Sequence, residues 1–191
     1  MKHENVREKL IARTIHIIAT NGMDKTTTKA IAADAGISEV YIYRHFANKE
    51  DLLSKAFDKL DDELVEKLTI HFPVMYTQGL SFEKRCRLLF DEIWACLLSN
   101  REDCFAYVRY YYSPYFAKNS LVTHTQKFDG LVRKFGEGFL AEANARMLMN
   151  HALTTMLDFA IKVFDGMVPN NSDTAEHVFR VVYYAMKPYF K

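Results

Sequence analysis

An all-α fold is predicted, in which a small N-terminal bundle of three helices precedes a larger helical part. Three observations predict it. Apolar residues recur at helical spacing along nearly the whole chain. Turn formers are scarce, with 7 Gly and 4 Pro in 191 residues. The helical runs are punctuated by Gly, Pro and Asn at their ends and by Ser, Thr, Asn or Asp at their starts. With 49% hydrophobic and 26% charged residues, the chain has material for one sizeable core or two small ones.

Taken in order, Val6, Leu10, Ile11, Ile15, Ile17 and Ile18 mark a first helix that stops at Asn21-Gly22. Thr26, Thr27 and Thr28 precede KAIAADA, and a threonine oxygen can accept the free amide protons of a helix start. Gly36 ends that second helix after barely two turns, because glycine tolerates the left-handed backbone of a sharp turn. Ser38 is expected to cap a third short helix, with Ile37 and Ile42 as a hydrophobic staple. Asn48, with Asp51 three residues on, begins a fourth that Leu52, Leu53, Ala56, Leu60 and Leu64 carry to about Leu68.

A loop with Pro73 and Gly79 follows. Ser81 caps FEKRCRLLFDEIWACLLSN, and a helix over Arg101–Tyr112 runs up to an interruption at Pro114. Further helices are expected over Val122–Phe135, stopped near Gly136 and Gly138, and over Ala141–Phe164. A last one is capped at Ser172 or Asp173 and ends before Pro188.

Composition narrows function by exclusion. No apolar run reaches the roughly 18 residues that span a bilayer. The start MKHENVREK lacks the apolar stretch of a secretory signal, so a cytoplasmic location is expected. Cys86, Cys96 and Cys104 are odd in number and share no zinc-like spacing, which fits reduced thiols and no metal site. From about Leu68 onward there is no Gly-rich phosphate loop, GxSxG, HExxH or Cys-His cluster, and His71, His124, His151 and His177 are scattered. No enzyme and no cofactor are expected.

The chemistry concentrates in Ala35-Gly36-Ile37-Ser38 and the helix after it. Ala32 and Ala35 are small where two helices cross, and Gly36 makes the turn, as a helix-turn-helix requires. Ile42 and Phe46, four apart, share an inward face. Glu39, Val40, Tyr41, Tyr43, Arg44 and His45 are left for the others. Tyrosines, arginine and histidine on an outward face suit a DNA groove, where hydroxyls bond phosphates and Arg reaches guanine. From residue 1 to 51 there are eight Lys or Arg against seven Asp or Glu. Affinity must therefore come from placed contacts and from dimerisation rather than from a basic field.

The run TTTKAIAADAGISEVYIYRHFANKEDLL resembles the N-terminal DNA-binding domain of the TetR family of regulators, over roughly residues 5 to 55. The resemblance is carried by Thr26-Thr27, Ile31-Ala32, Ala35-Gly36-Ile37-Ser38, Ile42-Tyr43-Arg44-His45-Phe46 and Lys49-Glu50-Asp51-Leu52. It implies a helix-turn-helix domain over 1–52 and a ligand-binding and dimerisation domain over 53–191. Tyr43 and Lys49 would then meet backbone phosphates, Thr26, Thr27 and Thr28 would form a further anchor, and Ser38 to Arg44 would face the bases. Two departures stand out. Glu39-Val40 replaces a common Lys-Gly, and His45 replaces a second tyrosine. Glu39 either accepts from a cytosine amine or repels phosphate.

The C-terminal part is rich in aromatic and sulfur side chains, RYYYSPYF most densely. Aromatic walls with a few polar tips suit a small-molecule pocket between helices. Trp94, Tyr107, Tyr111, Phe128 and Met156 are the nominated lining residues, with Asp91, Glu92 or Asp158 favouring a cationic ligand. MLMNHALTTMLDFAIKVF and AEHVFRVVYYAMKPYF are apolar on more than one face, which a two-fold copy would cover. The resemblance implies a homodimeric transcriptional regulator, a repressor released from a double-stranded DNA operator by a small hydrophobic effector. A helical protein-interaction module without DNA binding is the other reading, prompted by Glu39 and the near-neutral N-terminal part.

Overall fold

The computed structural model describes residues 3–191, with side chains from Val6 onward, so Met1 and Lys2 of the charged start lie outside the described residues. The fold is all-α, as the sequence predicts. Its helices are α1 (His3–Asn21), α2 (Thr28–Ala35), α3 (Val40–His45), α4 (Lys49–His71), α5 (Phe82–Leu98), α6 (Arg101–Tyr111), α7 (Pro114–Asn119), α8 (Leu121–Gly136), α9 (Ala145–Phe164) and α10 (Ser172–Met186). Short 3-10 turns cover Phe72–Tyr76 and Lys187–Tyr189. Among the described residues one isolated β-bridge is formed, Phe139 to Phe190.

Several helix starts follow the chemistry read from the sequence. The Thr27 oxygen accepts the Ala30 amide at 3.0 Å and caps α2. Asn48 accepts the Asp51 amide, and the Asp51 carboxylate accepts the Ala47 amide, each at 2.9 Å. Ser81 caps α5 through the Lys84 amide.

Four starts differ from expectation, each for a local reason. Ser38 makes no side-chain cap; α3 has Glu39 at its N-cap and only main-chain bonds there, Tyr41 N–H to Ser38 and Ile42 N–H to Glu39. Pro114 does not merely interrupt: it opens α7, because proline at a first helical position gives up an amide with no intrahelical partner. α9 begins at Ala145 rather than Ala141, since the Asn144 side chain takes the Met147 amide. In α10 the cap is Asn171, which takes the Thr174 amide.

The chain forms two compact units, Met1–Glu63 with Glu102–Gln126, and Leu64–Arg101 with Lys127–Lys191. The division expected at residue 52 follows the motif; this one follows packing. In the first unit Leu10, Ile11, Ile15, Ile17 and Ile18 of α1 are buried, as are Ile31, Ala32 and Ala35 of α2, Ile42 of α3 and Leu52, Leu53, Ala56, Phe57 and Leu60 of α4. Each full burial of an Ile, Leu or Phe is worth about 1.5–3 kcal/mol against exposure. α6 ties the end of α1: Arg109 Nη1 donates to the carbonyls of Ile18 (2.9 Å), which also accepts the Gly22 amide, and of Ala19 (2.6 Å), both in the last turn of the helix. Tyr110 stacks on Phe57 with ring centres 4.7 Å apart.

The second unit is built on α5, α9 and α10, which pack pairwise. Phe90 meets Phe179 edge-on at 5.4 Å, and Arg87 bonds both Asp91 on its own helix and Glu176 of α10. Met149, Met156, Leu157, Val178, Val182, Tyr183 and Met186 complete its interior.

Candidate functional site

The first candidate site is the turn from α2 into α3 with the start of α4. Gly36 sits at φ 66°, in the left-handed region. Its amide bonds Ala33 O, and the Ile37 amide bonds Ala32 O, so the last carbonyls of α2 are met as the chain reverses. α3 is only six residues long and would not hold as an isolated helix. Ile42 (0% exposed) and Phe46 (3%) pin it to the core.

What α3 presents outward is unusual for a surface. Val40 is 59% exposed, Tyr43 57% and Tyr41 39%, while Arg44 holds its guanidinium 4.8 Å from the Tyr41 ring centre. At an exposed site such a contact is worth about 0.5–1 kcal/mol. Ser38 is exposed, and Glu39 and His45 are half-buried at the two ends of the helix. Arg44 and His45 occupy the last turn, where positive charge suits the helix dipole.

The three threonines divide. Thr26 is fully buried and donates its hydroxyl to Gly22 O at 2.7 Å, closing the loop after α1. Thr27 is exposed at the N-cap, and Thr28 is half-buried as the first residue of α2.

Lys49 opens α4 with its Nζ 5.8 Å from the Tyr115 ring centre. The neighbouring Glu50 accepts from Lys118 Nζ at 2.8 Å and from Asn119 Nδ2 at 3.3 Å. The Lys118 hydrogen bond, above all, holds the Glu50 carboxyl below the usual carboxylate range. The acid beside Lys49 is thereby engaged by α7. Lys118 and Asn119 carried no sequence signal, and Tyr115 stood out only as one of the RYYYSPYF aromatics, all three being more than sixty residues away from the motif they support.

The second candidate site is a cavity of about 510 Å³ in the second unit, within the range of small-molecule sites. Phe72, Phe90, Phe139, Met156, Phe179 and Tyr183 supply much of its apolar wall, and Arg85, Lys134, Glu137 and Lys191 are its charged members. Burial pushes the Cys86 thiol, also in the wall, up to about 12, so it is neutral at ordinary pH.

Of the five nominated lining residues, Met156 is in this wall. Trp94 stacks on Phe90 at 5.9 Å, one ring behind the wall, and Phe128 is buried on α8 in the same unit. Tyr107 and Tyr111 belong to the first unit. There Tyr107 donates to Asp61 at 3.2 Å, and Tyr111 lies 4.4 Å from Phe116 and 5.7 Å from His124. Of the RYYYSPYF aromatics, Tyr110 and Phe116 pack on Phe57 of α4 and Tyr111 on His124 of α8, while Tyr112 is exposed.

The acids suggested for a cationic ligand are engaged elsewhere: Asp91 by Arg87, Asp158 by Lys162 and Glu92 with His71 at 3.6 Å. Among the described residues no three His, Cys, Asp or Glu gather as a metal site would need, and no helix is long and apolar enough to cross a membrane.

Residues 10–56 match the model of the bacterial regulatory proteins of the tetR family. The nucleoid occlusion factor SlmA of Shewanella sediminis is 33% identical over 85 residues, 44% of this chain and 41% of that protein. The chain thus matches well under half the length of that curated relative. A TetR family transcription regulator from Marinobacter aquaeolei VT8 shares the fold with a TM-score of 0.77 at 16% identity, covering 95% of each chain. A second, from Shewanella sp. PV-4, superposes with a TM-score of 0.75 at 17% identity, covering 94% of this chain and 97% of that one.

Proposed function

We propose, for a chain that belongs through residues 10–56 to the tetR family of bacterial regulatory proteins, a homodimeric repressor that a small hydrophobic molecule releases from its DNA operator. The observation that carries the DNA half is α3: two buried anchors and an outward face of Val40, Tyr41, Tyr43 and Arg44 that water alone does not favour. In this reading residues 1–52 read DNA in the cytoplasm. Ser38, Glu39, Val40, Tyr41, Arg44 and His45 face base edges, while Thr27, Thr28, Tyr43 and Lys49 meet phosphates. Thr26, its hydroxyl already given to Gly22, holds the loop.

Residues 53–191 sense the effector and dimerise. The cavity supports the first role, and exposed Met147 of α9 with Val181 and Tyr184 of α10 supports the second. A dimer sets two recognition helices about 34 Å apart, or a multiple of it, on a near-palindrome. The effector acts only by binding the DNA-incompetent state more tightly. Moving the balance from 1:99 to 99:1 takes about 10⁴-fold preference.

The test is fluorescence anisotropy of labelled DNA from upstream of the protein's own gene, across a range of salt. Wild type is expected to bind with a steep salt dependence, and Lys49→Ala to weaken binding and lower the slope by about one ion. No binding by wild type at low salt would favour the other reading, an interaction module, which Glu39 in the reading helix and the near-neutral charge of residues 1–51 support.

A further inference from the structure

The charged side chains of the cavity are unbalanced. Three are cations, Arg85, Lys134 and Lys191, and one is an anion, Glu137. That anion is already engaged, because the Glu137 carboxylate accepts from the Tyr76 hydroxyl at 3.1 Å. Lys191 donates to the Glu137 main-chain carbonyl at 2.7 Å, which holds its charge at the cavity without neutralising it. Cys86 stays a neutral thiol for the reason given above, so it adds no second negative charge.

Arg85 is the specific feature. Its Nη1 donates to Met75 O at 2.7 Å, and its guanidinium lies 5.6 Å from the Phe82 ring centre, so the group is held in place. Its Nε is buried and has no hydrogen-bond acceptor. That nitrogen is closed off from the cavity, so a ligand would meet the rest of the guanidinium, Arg85 standing in the cavity wall. A guanidinium edge is matched best by a carboxylate, and an alcohol would meet the donor but not the charge. An amine would add a fourth cation.

We infer that the cavity takes an anionic amphiphile, a carboxylate whose head meets Arg85 and whose apolar tail lies among Phe90, Phe139, Met156 and Phe179. This rests on the reading of the cavity as a small-molecule site and adds the charge of what fills it. Phe139 and Phe179 bound an apolar interior with no buried acid among its lining residues. Chain length should therefore register in affinity, each added methylene tightening binding about fourfold until the cavity is full.

Trp94 supplies the readout, being the single tryptophan and stacked on the wall residue Phe90. Its fluorescence is followed while the full-length protein is titrated with sodium hexanoate, octanoate, decanoate and dodecanoate, and separately with the matching primary alcohols. Carboxylates are expected to bind more tightly than alcohols of equal length. Arg85→Met is expected to weaken carboxylate binding about tenfold to a hundredfold while leaving alcohol binding unchanged.

Alcohols binding as tightly as carboxylates would overturn the anionic ligand and leave the hydrophobic effector standing. Failure of both series would overturn both. Should Arg85→Met also lose alcohol binding because Met75 is no longer held, Arg85→Lys decides. It keeps the charge and loses the planar set of guanidinium donors, so a weakened preference for carboxylates supports the inference and an unchanged one overturns it.

Discussion

Tyr107 shows how a polar group is kept inside the first unit. Burial, reinforced by the neighbouring Asp61, raises its hydroxyl well above the ordinary tyrosine range, so it remains a proton donor at any physiological pH. It gives that proton to a carboxylate only 1% exposed, which His124 Nδ1 also approaches at 2.9 Å. Tyr107→Phe removes the donor and leaves the ring contacts with Phe57 and Tyr111 available. The expected cost is about 1–3 kcal/mol, read as a lower urea midpoint with an unchanged slope. A midpoint equal to that of wild type would mean that Asp61 is satisfied without Tyr107.

Among the elements, α4 starts on the most complete cap among the described residues, with Asn48 and Asp51 each taking a main-chain amide. Asn48→Ala is expected to cost about 1 kcal/mol. It should also loosen the first turn that carries Lys49, which faster amide exchange at Asp51 would report. Loss of stability without faster exchange there would put the effect elsewhere. That cap was legible because both partners lie within four residues of each other. The Gly36 turn and the Ile42–Phe46 spacing were legible for the same reason.

Where competition was local but close, sequence reading slipped. Ser38 and Glu39 both suit a helix start, and main-chain bonds settled it without a side chain. Ala141 to Ala143 suit a helix, yet the Asn144 carboxamide begins one later. The cavity was the least legible feature. Its wall draws on segments from Leu68 to Lys191, and no periodicity marks a residue as facing an empty space rather than a packed neighbour.

For the whole molecule, the exposed Met147, Val181 and Tyr184 on α9 and α10 are a cost to a lone chain. Sedimentation velocity at micromolar protein is expected to give a dimer, and Val181→Glu to shift it toward monomer with unchanged far-ultraviolet circular dichroism. A monomeric wild type would sink the two-headed arrangement. Within each chain, α3 is fastened by two hidden side chains, and its outward ones carry almost none of the folding free energy. Substitutions at such exposed positions usually change stability by less than about 0.5 kcal/mol. A lineage carrying this helix can therefore alter what it recognises one residue at a time, passing only through folded ancestors. The same separation makes α3 the segment where an engineer would place a randomised library.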